Sequence, residues 1–201
     1  MPQKRVVAAL AVLGVQLVAG CAAASQAAQP APPATTAGAA TQDGHAEADV
    51  SFSQEMITHH RLTIRLAELA PDRGDAAYVR DLAAKLVAAE QKDITQMTSW
   101  LRSWKAEVPD ESHAGHDMPG MESGTNMAGM VSAEDLAALK ELSGPAFDRA
   151  WLKALADHLD AGVKMAEVAQ ALGKHAPTVK LARRLVEEQR EEVAAVRQHL
   201  A

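Results

Sequence analysis

The chain has 201 residues, enough for one or two small domains, with 20 Lys and Arg against 26 Asp and Glu and a formal charge of −6. That acidic balance, with only 3% aromatic residues for stacking on bases, argues against nucleic acid as a partner and is compatible with cations. A single cysteine excludes a disulfide framework and thiolate metal clusters.

Residues 1–20 start with Lys4 and Arg5 and continue as an apolar run from Val6 to Ala19, too short for a membrane span and read as a secretory signal. The run ends Leu17-Val18-Ala19-Gly20-Cys21, which resembles a bacterial lipobox. Lipidation of Cys21 would leave a thiol-free chain of charge −8, held at a membrane surface outside the cytoplasm by several acyl chains. Residues 21–48 are mostly Ala, Pro, Thr, Gln and Gly without apolar period, the composition of a flexible tether.

The folded body is expected over 49–201. A first helix is predicted from about Val50 to Ala70, capped by Asp49 or Ser51 and followed by Pro71, with Phe52, Met56, Ile64 and Ala67 as its buried stripe. After the turn Pro71–Gly74, Val79, Leu82, Leu86, Ile94, Met97 and Leu101 repeat near 3.6 and mark a second helix to about Lys105. So short a turn implies an antiparallel hairpin. The period stops over 106–131. Ser132 and Asp135 announce a short capped helix to about Leu142, and Gly144-Pro145 interrupts it. A third long helix follows from about Ala146 to Leu172 with Gly173 as C-cap, and a fourth from about Ala176 to Leu200.

The hairpins repeat at an offset of 99. Asp49 corresponds to Asp148, His59 to His158, Leu82-Ala83 to Leu181-Ala182, and Leu101 to Leu200. Repeat 1 (49–105) and repeat 2 (132–201) each have one apolar face, so the two hairpins should bury those faces together in an all-α four-helix bundle. Alternation of β-branched residues is absent, and no strand is expected.

Two groups of residues carry candidate chemistry. Met56, His59 and His60 share a helix face, with Met97 and His158 as further ligands from the facing helices. Imidazole suits copper or zinc and thioether selects copper(I), so copper is the expected ion, with silver or zinc as alternatives. The second group lies between the hairpins: His113, His116, Met118, Met121, Met127 and Met130. Four of the seven methionines beyond Met1 fall in this Gly-rich stretch, where they cannot build a core. Neutral thioethers at short spacing fit capture of copper(I) outside the cell.

The pattern Asp49-x-x-Phe52-x-x-x-Met56-Ile57-x-His59-His60, followed by Gln91, Ile94, Met97, Trp100 and Leu101, resembles the bacterial family called domain of unknown function 305. The resemblance covers roughly Asp49 to Leu200 and implies a ferritin-like helical bundle, typically exported, with copper handling in some members. The second repeat departs from it, with Leu155-x-x-His158-Leu159 in place of Met-x-x-His-His.

No catalytic motif is present. Glu-x-x-His and His-Glu-x-x-His do not occur, nor does a Gly-x-Ser-x-Gly elbow or a phosphate-binding glycine loop. The expected function is copper sequestration or delivery without turnover. The alternative is a metal-free interaction module of the cell envelope presenting Trp100, Trp104 and acidic helix faces to a protein partner.

Overall fold

The computed structural model describes residues 44–110 and 129–201. The signal, Cys21, most of the tether, and His113, His116, Met118, Met121 and Met127 lie outside the described residues. Within the described residues the chain is all-helical: α1 Glu47–Ala67, α2 Ala70–Arg73, α3 Ala77–Ser103, α4 Ala133–Lys140, α5 Gly144–Leu172 and α6 Ala176–Leu200. None of these is long and apolar enough to cross a membrane.

Helix starts explain where the predicted boundaries move. Helix α1 begins earlier than expected, because Ala46 is the N-cap and its backbone N–H donates to Asp49 Oδ2 at 2.7 Å. Asp49 therefore serves as the acid of the first turn rather than as the cap. Pro71 lies in the first turn of α2, where its missing N–H costs nothing, instead of simply following α1. Ser132 caps α4 as predicted, accepting from Asp135 N at 3.0 Å while Ser132 N donates to Asp135 Oδ2 at 2.9 Å.

α1 pairs with α3 and α5 with α6, and the two hairpins meet along α1 and α5. One apolar cluster holds Leu66, Val79, Phe147, Trp151, Leu155 and Val193. The other holds Phe52, Met56, Met97, Leu101, Ala166 and Leu185. Ile64 is only half-buried, and Leu62 and Leu66 take the core positions expected of it. Between the clusters runs a buried polar layer of His59, His60, Glu90, Asp93, His158 and Gln189.

The offset of 99 is realised as an exchange between hairpins. Asp49 of the first repeat accepts from the N–H groups of Lys174 and His175 in the turn of the second, at 2.8 and 3.1 Å. Asp148 of the second accepts from Asp75 and Ala76 in the turn of the first, at 3.1 and 2.7 Å. These four donors are N-terminal to helices, where a carboxylate is doubly favoured. Each turn also holds a glycine at which a Cβ would crowd both the preceding helix carbonyl and the incoming carboxylate. A Cβ at Gly173 would stand 2.7 Å from Asp49 Oδ1 and 2.6 Å from Ala169 O, and one at Gly74 would stand 3.3 Å from Asp148 Oδ1 and 2.9 Å from Ala70 O. Gly173 is the C-cap of α5, yet its φ of −64° is open to any residue. Contact, not a left-handed backbone, selects glycine there.

Candidate functional site

Adjacent positions on α1 send His59 and His60 in different directions. His59 faces α5 and stacks on His158, with centroids 3.9 Å apart and planes within 5°. His59 Nε2 lies 2.9 Å from the carbonyl oxygen of His158, and His158 Nε2 lies 3.2 Å from that of His59. A carbonyl only accepts, so the geometry assigns a proton to Nε2 of both rings and a lone pair to each Nδ1. His158 Nδ1 accepts from the backbone N–H of Val131 at 3.3 Å. His59 Nδ1 is fully buried and has no hydrogen-bond partner among the described residues. Burial, followed by the neighbouring imidazoles, pushes His59 well below the usual histidine range, and burial takes His158 down to about 4. Both rings are neutral at neutral pH.

His60 faces α3. Its Nδ1 forms a close ion pair with Glu90 Oε2, and its Nε2 lies 3.8 Å from Asp93 Oδ2. Burial alone would push this ring down, but the charges of Glu90 and Asp93 outweigh it and hold His60 at about 9. Asp93 in turn binds Arg184 of α6 at 2.6 Å. The pseudo-symmetric counterpart is Lys85 with Glu192 at 2.9 Å. The second repeat replaces His60 and Glu90 with Leu159 and Gln189. Its centre is thus uncharged where the first holds a buried imidazolium with its carboxylate.

Gly162 lets these groups meet. A Cβ there would stand 2.6 Å from Gln189 Oε1 and 2.7 Å from His59 Cε1. Gln189 is buried, and neither amide atom has a hydrogen-bond partner among the described residues. It lines, with Glu90, Asp93, Arg184 and Glu192, a groove of about 580 Å³ between α3 and α6. Sequence reasoning missed Glu90, Asp93, Arg184, Gln189 and Gly162. The repeat itself was the available signal, because Glu90 aligns with Gln189 and Thr63 with Gly162.

Of the expected ligands, the structure brings His59, His60 and His158 into one layer and sets Met56 and Met97 in the apolar cluster beside it. No group of three or more His, Cys, Asp or Glu among the described residues converges as a metal site. The reason is specific: His60 presents its two nitrogens to two different carboxylates, and both nitrogens of His158 are engaged. Both nitrogens of His60 lack a hydrogen bond but face Glu90 and Asp93, so within this layer and among the described residues His59 Nδ1 is the ring nitrogen with neither a hydrogen bond nor an ion pair.

The flanks of the Met/His stretch attach beside this layer. Arg61 of α1 donates to the carbonyls of Pro109 and Asp110 at 2.9 and 2.8 Å. On the returning side Gly129, with φ of +104°, packs so closely that a Cβ would stand 2.5 Å from Asp157 O. Val131 then bonds His158, and Met130 lines a pocket of about 380 Å³ beside α4 and α5.

Among curated proteins, none matches this sequence significantly. Solved structures do. A DUF305 protein from Streptomyces coelicolor is 26% identical with a TM-score of 0.65, the match covering 74% of this chain and 89% of that one. A DUF305 fragment from Deinococcus radiodurans shares the fold at 24% identity and a TM-score of 0.66, covering 78% and 97%. CopM in its Cu(II)-bound form is 26% identical with a TM-score of 0.63, covering 76% and 95%. CopM structures also include Cu(I)-bound and Ag-bound forms. The profile of the DUF305 family, a domain of unknown function, matches residues 49–200, and the chain belongs to that family.

Proposed function

We propose that this protein is a lipid-anchored, extracytoplasmic copper carrier, capturing the ion on His113, His116, Met118, Met121, Met127 and Met130 and sharing it with the Met56–His59 face of α1. The observation that carries the reading is His59 Nδ1, a buried nitrogen lone pair with no partner among the described residues. A buried polar atom left unsatisfied is costly, and a soft cation is one way to satisfy it. Met56, one turn earlier on the same helix, supplies a thioether. His60 fits less well, since binding there would require its proton to leave and Glu90 to be released. Met97 lies in the same cluster as Met56, and His158 orients the ring of His59 by stacking.

The flanks of the Met/His stretch support transfer between the two ligand sets, because both are fastened to helices at the level of His59 and His158. Similarity to CopM, solved with Cu(I), Cu(II) and Ag, supports copper and silver as the ions. The name of the Streptomyces relative, a secreted protein, supports export, and the lipobox-like Cys21 of this chain is what suggests the anchor. Silver(I) titration of the intact chain, followed by NMR of the histidine rings, tests the inner site. The reading expects the His59 ring resonances to shift while those of His60, held by Glu90, stay in place. Saturation of the chain with no change at His59 would remove the helix face from the proposal and leave only the segment between the hairpins.

A further inference from the structure

One end of the bundle differs from the rest of the surface. It is formed by the start of α1, the end of α3, the end of α5 and the start of α6, which Asp49 ties together through Lys174 and His175. The two exposed large apolar side chains among the described residues, Val168 (56%) and Leu172 (58%), both lie here, one turn apart on α5. Two of the three tryptophans are here as well. Trp100 and Trp104 are half-buried, 6.3 Å apart between ring centroids, and His175 stands edge-on to both at 5.3 and 5.0 Å. The third, Trp151, is fully buried at the opposite end, donating to Leu66 O.

Charge at this end also departs from the whole. The chain is acidic overall, yet Arg102, Lys105, Lys174 and Lys180 are all exposed here, with Glu47 and Glu107 as the exposed carboxylates around them. Glu167, nearby on α5, is engaged by Arg190. The chain joins the fold at this same end, since residues 1–43 lead into Gly44 and His45, and His45 stacks on Trp104 at 4.5 Å.

We propose that this end is a docking face for an anionic lipid surface, with Val168 and Leu172 entering the headgroup boundary, Trp100 and Trp104 at its level, and the surrounding cations on lipid phosphates. Indoles favour that boundary because they combine an apolar body with one donor, and exposed aliphatics of a folded domain find apolar burial there. The inference deepens the lipid-anchored reading: an anchor at Cys21 would draw this end, rather than the Trp151 end, toward the bilayer. The bundle would then stand with its histidine layer away from the lipid.

The test uses the intact chain on mixed phosphatidylcholine–phosphatidylglycerol vesicles whose acyl chains carry bromine, which quenches indoles it touches. Quenching is expected for the wild type and lost in Trp100→Phe/Trp104→Phe, where only Trp151 remains. Val168→Glu/Leu172→Glu, at exposed positions, should lose the quenching while keeping the fold by circular dichroism. Neutralising Arg102 or Lys174 to Gln should lower the docked-to-undocked ratio by roughly fivefold each. Mass spectrometry for an acyl group and the sedimentation of Cys21→Ser read the anchor separately. An acylated, vesicle-bound chain without quenching overturns docking and leaves the anchor standing. A chain without acyl group that is still quenched, and is released by high salt, overturns the anchor and leaves docking standing. Absence of quenching at saturating vesicles, as a protein partner for this face would give, overturns the proposal in either case.

Discussion

Replacing His60 by leucine, the residue at the equivalent position 159, tests the layer that distinguishes the two repeats. The variant leaves Glu90, only 5% exposed, without its cation, while Asp93 keeps Arg184. Removing one partner of a buried ion pair costs about 3–5 kcal/mol, whereas replacing both by apolar groups of similar volume is near neutral. His60→Leu alone should therefore be strongly destabilised. His60→Leu/Glu90→Met, apolar at both positions as Leu159 is in the second repeat, should return to within about 1 kcal/mol of wild type. The proton adds a pH signature. His60 is raised from 6.5 to about 9, so its stabilisation is complete below 6.5 and is lost as pH rises through 9. At about 1.4 kcal/mol per pH unit, the loss amounts to about 3 kcal/mol. Urea denaturation followed by far-ultraviolet circular dichroism, at about pH 6 and about pH 10, measures both effects. The wild type should lose about 3 kcal/mol more than the double variant between those conditions. Equal losses in the two proteins, or a double variant as unstable as the sum of the singles, would refute a buried imidazolium paired with Glu90.

His158 produces the opposite limb. Its depressed value of about 4 means its contribution is complete above 6.5 and declines as pH falls toward 4, and NMR titration should show the ring still neutral at about pH 5. Asp49 receives three backbone N–H groups and Asp148 two. Asp49→Ala should thus lower unfolding free energy more than Asp148→Ala, each by roughly 1.5–3 kcal/mol for hydrogen bonds to a charged group. The glycines of the same turns should rank likewise in thermal denaturation. Gly173→Ala must displace Asp49 Oδ1 from 2.7 Å and should cost about 1–3 kcal/mol, more than Gly74→Ala, where the carboxylate is 3.3 Å away.

Helix content was legible in the sequence because the apolar period fixed α3, α5 and α6 to within a few residues. The duplication was legible too, since Asp49, Asp148, His59 and His158 repeat in phase with the apolar stripe, and the structure makes them the groups that exchange bonds between the hairpins. The different work of two adjacent histidines was not. One residue of helical rotation sends His59 to α5 and His60 to α3, and what each meets depends on helices 30 and 99 positions away. Glu90 and Asp93 look like ordinary helix-surface acids until α1 covers them. Gly162 reads as a weakness in a helix until the stacked ring and the Gln189 amide beside it are known. The half-buried Ile64 has a related cause: apolar identity marked the stripe, while the polar layer took part of the interior.

Copper(I) affinity under reducing conditions, measured by competition with a chromophoric chelator, tests the central claim most directly. The intact chain should bind copper(I). Met118→Ala, Met121→Ala, Met127→Ala and Met130→Ala combined should bind it at least about tenfold more weakly, a change of about 1.4 kcal/mol, and adding His59→Ala should weaken it further. Affinity unchanged in the combined methionine variant would contradict capture by the segment between the hairpins, and affinity unchanged after His59→Ala and His60→Ala as well would contradict the copper account as a whole.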